Sequence, residues 1–203
     1  MTSARTRPAK PALTRAGIVA AALAVCTQDG IAAVTMRRVA RELDTAAASL
    51  YVYVADRDEL VAAAHDLAVA DVELPTSRDG DWRARLELLV GRAAAALAAH
   101  RDIALVGLTG TAPGPGILRI LEEQVRLLRA AGLAAQERAW AVDLLGKHIA
   151  SAALEARAGA ALHLDTASYP ELAEIAEELA GGDPAARAAW KLRVLLDGLV
   201  AGR

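Results

Sequence analysis

Apolar residues recur at helical spacing near the start of the chain and divide it into short helices. The first series follows the i, i+3, i+4, i+7, i+8 pattern of one helix face and comprises Ile18, Ala21, Ala22, Val25 and Cys26. Asp29-Gly30 then predicts the end of that helix, because glycine readily adopts the left-handed conformation that closes many helices. A second series follows Thr35, a favourable N-cap, and comprises Met36, Val39, Ala40 and Leu43.

The pattern continues as helices separated by turn residues. A tight turn at Asp44 predicts a third short segment from about 45 to 52, and Asp56 predicts the cap of a fourth helix that ends near Val72. Residues 73–80 have the proline, serine and glycine content of a linker. Further helices are predicted at about 82–99, 102–109, 117–131, 136–157, 170–180 and 184–200. No segment has the alternation of a convincing strand, so the sequence predicts an all-α fold.

The composition supports this fold and limits where the protein acts. The chain has 203 residues, is rich in alanine and contains no phenylalanine. Its core must therefore consist of small and aliphatic side chains, which suit closely packed helices better than a β-sandwich. The single cysteine, Cys26, excludes an internal disulfide and is compatible with a reducing cytoplasm. No apolar run resembles a signal peptide or reaches the roughly 18 residues of a membrane span, so no membrane partner is expected.

Charge is distributed unevenly between the two ends of the chain. Residues 1–50 hold seven basic and three acidic residues, a charge of +4, which leaves −6 for the rest of a chain whose net charge is −2. A basic segment on an acidic body is expected where only one end of a protein contacts a polyanion. A chance imbalance over so short a segment is the alternative.

The segment from Thr35 to Tyr53 predicts a helix-turn-helix. It combines a short helix, a tight turn and a second short helix, both able to pack on the longer helix before them. Such a unit places its second helix in the major groove of DNA. The arginines of the first helix then lie beside the groove, and hydroxyl and tyrosine side chains of the second reach phosphates or base edges.

Residues 14–61 resemble the N-terminal domain of the tetracycline-repressor (TetR) family of transcription regulators. Three stretches carry the resemblance: Gly30-Ile31 with Thr35-Met36-Arg37-Arg38-Val39-Ala40-Arg41-Glu42-Leu43, then Ser49-Leu50-Tyr51-Val52-Tyr53-Val54, then Asp56-Arg57-Asp58-Glu59-Leu60. The C-terminal part is most similar to the tetracycline repressors themselves, through Leu121-Glu122-Glu123-Gln124 and the terminal helix at 192–199. The resemblance implies a flexible basic arm (1–13), a three-helix DNA-binding domain (14–61) and a larger helical ligand-binding and dimerisation domain (62–203).

The resemblance also implies roles in DNA binding. Arg37 matches an arginine that reads a guanine, Arg57 matches a lysine that grips a phosphate, and Tyr53 replaces a histidine that contacts the backbone. The full predicted DNA-binding set is Thr35, Arg37, Arg38, Ala47, Ala48, Ser49, Tyr51, Val52, Tyr53 and Arg57. Ala47 and Ala48 depart from the polar and proline residues of the tetracycline repressors, so a different operator is expected. The alternatives are that Arg38 is merely solvated and that Tyr51 packs against the first helix.

A small-molecule effector is implied for the C-terminal domain. Gln124 matches a pocket glutamine of the family, and Glu155 matches a glutamate that reaches the pocket from the partner subunit. The positions of the magnesium-binding histidine and threonine carry Gly107 and Gly110, and the position of a drug-binding histidine carries Glu73. An apolar or mixed small molecule is therefore expected rather than magnesium-tetracycline, with no metal and no cofactor.

The residues themselves also predict an aliphatic cavity with a few polar groups that orient the ligand. The predicted ligand-binding set is His65, Leu105, Leu108, Ile120, Gln124, Trp140, Leu144, His148 and Glu155. The alternative for each aliphatic residue of this set is that it belongs to the core.

These features predict a ligand-responsive regulator, a repressor that leaves a palindromic operator when a small molecule binds. The resemblance implies a homodimer that pairs through the helices near 137–157 and 184–200. An enzyme is not expected, because the sequence has no phosphate-binding loop with its lysine, no HExxH and no paired cysteines. The alternative is a helical protein-interaction module with a degenerate helix-turn-helix, which would not need Arg37, Tyr51, Tyr53 and Arg57 together.

Overall fold

Ten α-helices form the computed structural model, which describes residues 12–156 and 168–201. They are α1 Arg15–Asp29, α2 Met36–Glu42, α3 Ala47–Leu50, α4 Arg57–Ala68, α5 Trp82–Ala98, α6 Pro115–Ala130, α7 Ala135–Glu155, α8 Pro170–Glu174, α9 Ala176–Ala180 and α10 Pro184–Val200. Three 3₁₀ helices join them, at Ile31–Ala33, Ser77–Asp79 and Arg101–Leu108. The described residues form no strand, and the predicted all-α fold is confirmed. Most of the predicted arm and most of the predicted loop at 159–168 lie outside the described residues.

Local capping signals determine where the N-terminal helices begin and end. The Thr14 hydroxyl accepts the Gly17 N–H at 3.1 Å at the start of α1, and Gly30, with φ of +87°, ends that helix. The Thr35 hydroxyl accepts the Arg38 N–H at 3.1 Å at the start of α2. These N-caps stand where the sequence places them, because each depends on a side chain only three residues from its partner.

Buried residues from all four N-terminal helices form the core of the head, the part of the molecule from α1 to the start of α4. Ile18, Val39, Leu50 and Leu60 are fully buried there. Asp44 turns the chain between α2 and α3 with φ of +49°, a conformation that aspartate tolerates better than most residues. The regular helix α3 has only four residues, which is shorter than the predicted segment, and Leu50 is its single buried residue.

The fourth helix ends earlier than predicted. Its last residue is Ala68 rather than Val72, and the chain continues through turns. Val69 and Val72 are buried in this turn region. The carbonyl oxygens of Ala70 and Val72 accept hydrogen bonds from the Arg119 guanidinium, both at 2.7 Å. Arg119 of α6 thus satisfies two carbonyls in the turns that follow α4.

Long helices build the body, the part of the molecule after the head. Helices α5, α6, α7 and α10 pack together, and the 3₁₀ segment Arg101–Leu108 lies against α4, α5 and α7. The predicted helix at 170–180 is instead two short helices that meet at Ile175. Leu172, Ile175 and Leu179 are exposed, so no packing against the core enforces one continuous helix. Within the part of the chain that the structure describes, no helix combines the length and the apolar character needed to cross a membrane.

Candidate functional sites

The outer surface of α2 and α3 presents two arginines with free guanidinium groups. Arg37 and Arg41 are exposed and lie one helical turn apart on α2, so they share one side of that helix. Together with Asp44 and Ala47 they border a shallow depression between the two helices. Among the described residues, neither guanidinium has a carboxylate partner, so both keep their charge available for an external anion.

Arg38 differs from these two neighbours. Its Nη2 contacts Asp29 Oδ2 at 3.2 Å, and its Nη1 donates to the Glu42 carboxylate. The hydrogen bonds with Glu42 and Asp29 raise the pKa of Arg38, against the opposing effect of burial. The structure therefore places this predicted DNA-binding residue in contacts within α2 and with the end of α1. Its predicted DNA contact stays a prediction.

The predicted recognition residues lie on α3 and in the turn that directly follows it. Tyr51 is 55% exposed and Val52 is 81% exposed, immediately after the fully buried Leu50. Tyr51 therefore does not form part of the core, which was the alternative for it. Ala48 is exposed and Ser49 is half-buried. One buried leucine thus fixes a short helix whose other side is open to solvent.

Two further predicted DNA-binding residues lie at the edge of the head core. Tyr53 is half-buried and packs against buried residues of the core. The Thr35 side chain is exposed, although its hydroxyl caps α2. The DNA contacts predicted for these two residues stay predictions.

Arg57 makes contacts that the sequence did not indicate. Its Nε donates to the Val34 carbonyl at 2.7 Å, and its Nη2 donates to the Ile31 carbonyl at 2.9 Å. Its Nη1 lies 3.5 Å from Asp58 Oδ1. The side chain thus ties the start of α4 to the segment that leads into α2. The phosphate contact that the resemblance implies for Arg57 stays a prediction, and the structure adds a clamp between α4 and the segment before α2.

A cavity of about 400 Å³ lies between α4, α5, α6, α7 and the 3₁₀ segment before α6. This first cavity has mainly apolar walls. Four residues of the predicted ligand-binding set line it: His65, Leu108, Ile120 and Gln124. Gly107 and Gly110, at the positions where the family holds magnesium, also line it. Its size and walls are those of a site for a small organic molecule.

The other five predicted ligand-binding residues do not line this cavity. Leu105 is partly exposed, and Trp140 and Leu144 are exposed on α7. The residues of α7 that line the first cavity are Val142, Asp143, Gly146, Lys147, Ile149 and Ala150, and neither 140 nor 144 is among them. His148 lines a different cavity, and Glu155 Oε1 binds Lys191 Nζ at 2.6 Å. Trp140 and Leu144 were predicted at the pocket because apolar character alone does not reveal the buried side of a helix. The contact implied for Glu155, with the pocket of the partner subunit, stays a prediction.

Neutral polar groups point into the first cavity. Gln124 is fully buried, and neither its amide oxygen nor its amide nitrogen has a hydrogen-bond partner among the described residues. The same holds for Nε2 of His65. Burial lowers the pKa of His65, and Asp66 opposes this effect only in part. An unpartnered buried polar group costs about 1–3 kcal/mol, so a ligand with matching donor and acceptor groups would be favoured here.

Two polar links join α4 to α6 beside the first cavity. The Asp66 carboxylate accepts the Gly116 N–H at 3.1 Å and the Ile117 N–H at 2.8 Å, and so caps the start of α6. A Cβ atom at Gly116 would lie 2.7 Å from the Asp66 carbonyl oxygen, so only glycine permits this approach. The second link is the pair of bonds from Arg119 to the carbonyls that follow α4.

The sequence did not identify Asp66 as the cap of α6, although it indicates that such a cap is needed. The residue before α6 is Gly114, which has no side chain to cap the helix. A helix without its own capping side chain needs an acceptor from elsewhere in the fold. That need does not identify the acceptor, since Asp66 lies 50 residues from Gly116 along the chain.

Two family profiles match successive parts of the chain. Residues 18–64 match "Bacterial regulatory proteins, tetR family", and residues 74–202 match "Tetracyclin repressor-like, C-terminal domain". The transcriptional repressor DrrR1 of Streptomyces coeruleorubidus is 32% identical, with 72% of this chain and 55% of that protein covered. The chain spans about half the length of the curated relatives that it matches.

Solved structures share the fold over nearly the whole chain. ActR of Streptomyces coelicolor, in complex with (S)-DNPA, superposes with a TM-score of 0.81 and 32% identity, covering 94% of this chain and 98% of ActR. BioQ, known from Mycobacterium smegmatis, has been solved with its natural double-stranded DNA operator. That complex gives a TM-score of 0.69 and 27% identity, covering 94% of this chain and 99% of BioQ.

Proposed function

This chain belongs to the tetR family of bacterial regulatory proteins, and from that premise we propose that it is a cytoplasmic, ligand-responsive transcriptional repressor. It binds a palindromic operator as a homodimer, and it has no catalytic step of its own. The observation that carries the proposal is Arg37, an exposed arginine without a partner among the described residues, beside the open face of α3. A surface of this kind fits the major groove of DNA.

In this proposal α3 enters the major groove and α2 lies above it. Arg37 reads a base, because a guanidinium can bind the two acceptors of a guanine edge. Tyr51 and Val52 directly follow α3 and extend its exposed face. Arg41 adds a phosphate contact that the sequence did not single out, since its guanidinium is as free of carboxylates as that of Arg37 within the described chain. The relative BioQ, solved with its operator, supports this mode of binding.

The homodimer is supported by apolar side chains on the outside of the body. Trp140 on α7 is 67% exposed, and Trp190 and Val194 on α10 are 59% and 49% exposed. Large exposed apolar side chains on neighbouring helices are typical of subunit interfaces. A two-fold dimer presents two α3 helices, which matches the two half-sites of a palindrome.

The ligand response follows from the position of α4 between the two functional sites. Its first residue, Arg57, ties α4 to the segment before α2, while His65 lines the first cavity and Asp66 caps α6. A ligand that moves the start of α6 therefore pulls on α4 and shifts the head. The ligand binds more tightly to the arrangement of the heads that cannot bind the operator. Linkage then requires that operator DNA weaken ligand binding by the same factor. ActR, solved with a small molecule, supports a ligand site in this fold.

Fluorescence anisotropy tests the proposal. The purified protein is titrated onto its own upstream intergenic DNA and onto a scrambled duplex at two salt concentrations. We expect tight, salt-dependent binding with preference for the native duplex. Arg37→Ala should weaken native binding by roughly 10- to 100-fold, equivalent to about 1–3 kcal/mol, and reduce the preference. Arg41→Ala should weaken binding to both duplexes about equally.

Arg38→Ala is the matched control, since Arg38 is a neighbour on the same helix whose charge is already paired. It should cost less affinity than Arg37→Ala. If Arg37→Ala changed neither affinity nor preference, the proposed reading head would be wrong. Absence of binding at low salt would favour the protein-interaction module instead.

A further inference from the structure

A second cavity, of about 310 Å³, lies between α5, α7 and α10 of the same protomer. It shares no lining residue with the first cavity, because α5 and α7 each present a different face to it. Ala93 and Leu97 of α5 face the first cavity, whereas Ala94 and Ala98 face the second. The second cavity has walls of alanine and glycine, and its volume is at the lower end of small-molecule sites.

A buried histidine marks this cavity as more than a gap between small side chains. His148 of α7 is only 8% exposed and lines the cavity. Its ring has no hydrogen-bond partner among the described residues. Burial lowers the pKa of His148, the positive charge of Lys191 adds to this effect, and Glu155 opposes it. A neutral imidazole offers one donor and one acceptor. Neither ring nitrogen of His148 is among the fully buried unpartnered atoms of the described residues, so a ligand in the cavity can reach them.

The rim of the second cavity carries one carboxylate and one guanidinium. Glu87 and Arg193 are the two charged residues that line it. Glu87 is engaged by Arg83, whose Nε lies 3.1 Å from Glu87 Oε1. Within the described part of the chain, the Arg193 guanidinium has no carboxylate partner, and the residue is exposed. An anionic group at the rim would therefore meet an unpaired cation.

We propose that the second cavity binds a small aromatic or alicyclic acid that also carries a hydroxyl group. The apolar ring system fills the space between the alanine walls, the hydroxyl group bonds to His148, and the carboxylate meets Arg193 at the rim. This site is separate from the cavity of the proposed effector. It does not depend on the proposed DNA binding, because its ligand is detected directly.

Two glycines provide matched variants that fill one cavity each. Gly91 lies within α5 at the second cavity, and Gly146 lies within α7 at the first. A Cβ atom at either position would meet nothing within 4 Å, so a leucine enters open space without a clash at its first atom. The pair Gly91→Leu and Gly146→Leu therefore separates the two cavities with the same change of side chain.

Equilibrium dialysis of the full chain with 6-hydroxy-2-naphthoate measures the binding. We expect the Gly146→Leu variant to retain one site per protomer, and the Gly91→Leu/Gly146→Leu double variant to lose it. Loss of all binding in the Gly146→Leu variant would overturn the proposal, because the probe would then occupy only the first cavity. Unchanged binding in the double variant would overturn it equally.

Analogues of the probe test the two polar contacts in the Gly146→Leu background. Removal of the hydroxyl group, as in 2-naphthoate, should weaken binding about tenfold, and His148→Leu should abolish this difference. Removal of the carboxylate, as in 2-naphthol, should also weaken binding, and Arg193→Gln should abolish that difference. If the ratio of affinities between the probe and each analogue were the same in these variants as in Gly146→Leu alone, His148 and Arg193 would not contact the ligand.

Discussion

The head and the body of this protein place their functional side chains on opposite sides of their helices. In the head, α3 has four residues, and its functional face is exposed while Leu50 alone anchors it. In the body, α7 has 21 residues, and its functional face lies inside, along a cavity. The head therefore depends on few anchors that hold an exposed surface, and the body depends on a space that many residues keep open. Substitutions that test this contrast are expected to have effects of widely different size on stability and on DNA binding.

The largest effect is expected from the loss of the single anchor of α3. Leu50→Ala removes a fully buried side chain, which costs about 2–5 kcal/mol of the free energy of unfolding in comparable cores. Operator binding should fall with it, because α3 loses its fixed position. The measurement is urea unfolding followed by circular dichroism, together with DNA anisotropy.

Val52→Ala is the control for Leu50→Ala, since Val52 is two residues away and 81% exposed. It should change stability by less than about 0.5 kcal/mol. If both substitutions had the same small effect on unfolding, α3 would not depend on one anchor, and the contrast with the body would disappear.

A smaller effect is expected from the clamp at Arg57. Arg57→Ala leaves the carbonyls of Ile31 and Val34 without their charged donor. Hydrogen bonds from charged groups contribute about 1.5–3 kcal/mol, and the 41% exposure of this side chain reduces that to about 1–2 kcal/mol. DNA affinity should fall more on the native than on the scrambled duplex, because Arg37 moves with α2.

Arg15→Ala provides the control for the clamp. Arg15 also joins α1 to α4, through an exposed ion pair with Glu59 at 3.0 Å. Such pairs contribute about 0.2–1 kcal/mol, so this variant should be the more stable of the two. An equal loss on the native and the scrambled duplex in Arg57→Ala would contradict the clamp and favour a phosphate contact of Arg57.

The head was the easier half to predict from the sequence, for a physical reason. Its helix starts depend on Thr35 and Asp56, which cap amides only three residues away. The exposed positions of α3 then follow from short-range spacing. The clamp at Arg57 was missed, because its partners lie 23 and 26 residues away.

In the body, the sequence predicted the helices but not which of their faces is buried. Gln124 lines the first cavity, whereas Trp140 and Leu144 are exposed elsewhere on α7. Alanine-rich helices such as α7 have small side chains on several faces, so periodicity distinguishes the faces poorly. The contact between Asp66 and α6 depends on tertiary packing that no local pattern encodes.

A still smaller effect is expected from the link between body and head. Asp66→Ala removes the cap of α6, which costs about 0.5–2 kcal/mol of stability. The sharper result concerns regulation. A ligand of the first cavity should release DNA less effectively from this variant, because α6 no longer pulls on α4.

The exposed Asp71 provides the control for this link, since it follows α4 and lies in the same region of the chain. Asp71→Ala should leave both stability and the ligand response unchanged. The measurement is the ratio of operator affinities with and without ligand, in each variant. An unchanged ratio in Asp66→Ala would mean that the head and the body communicate through another contact.

The smallest effect is a pH dependence that comes from histidines of the body. All four histidines lie after the head, the first of them being His65. Burial lowers the pKa of His65 below its ordinary value of 6.5, so near that pH the unfolded chain binds more protons than the folded one. Stability is therefore complete above this region and falls as the pH drops through it. At a pH equal to the ordinary pKa, the imidazole of the unfolded chain is half protonated. The contribution of His65 to the loss of unfolding free energy at that pH is therefore at most about 0.4 kcal/mol.

Tryptophan fluorescence can detect this loss in the body, because all three tryptophans lie there, at positions 82, 140 and 190. Urea unfolding should show lower stability at about pH 6.5 than at about pH 7.5, and His65→Gln should reduce the difference. Burial also lowers the pKa of His100 and His148, so part of the dependence should remain in the variant. Local opening of α2 and α3, followed by hydrogen exchange at their amides and corrected for the intrinsic rate, should not change over this range. Helix α1 is left out of this comparison because its Thr27 hydroxyl lies 2.8 Å from His100 Nδ1. A head that opened more readily at the lower pH would show that its few anchors depend on the body, and the two halves would then form one cooperative unit.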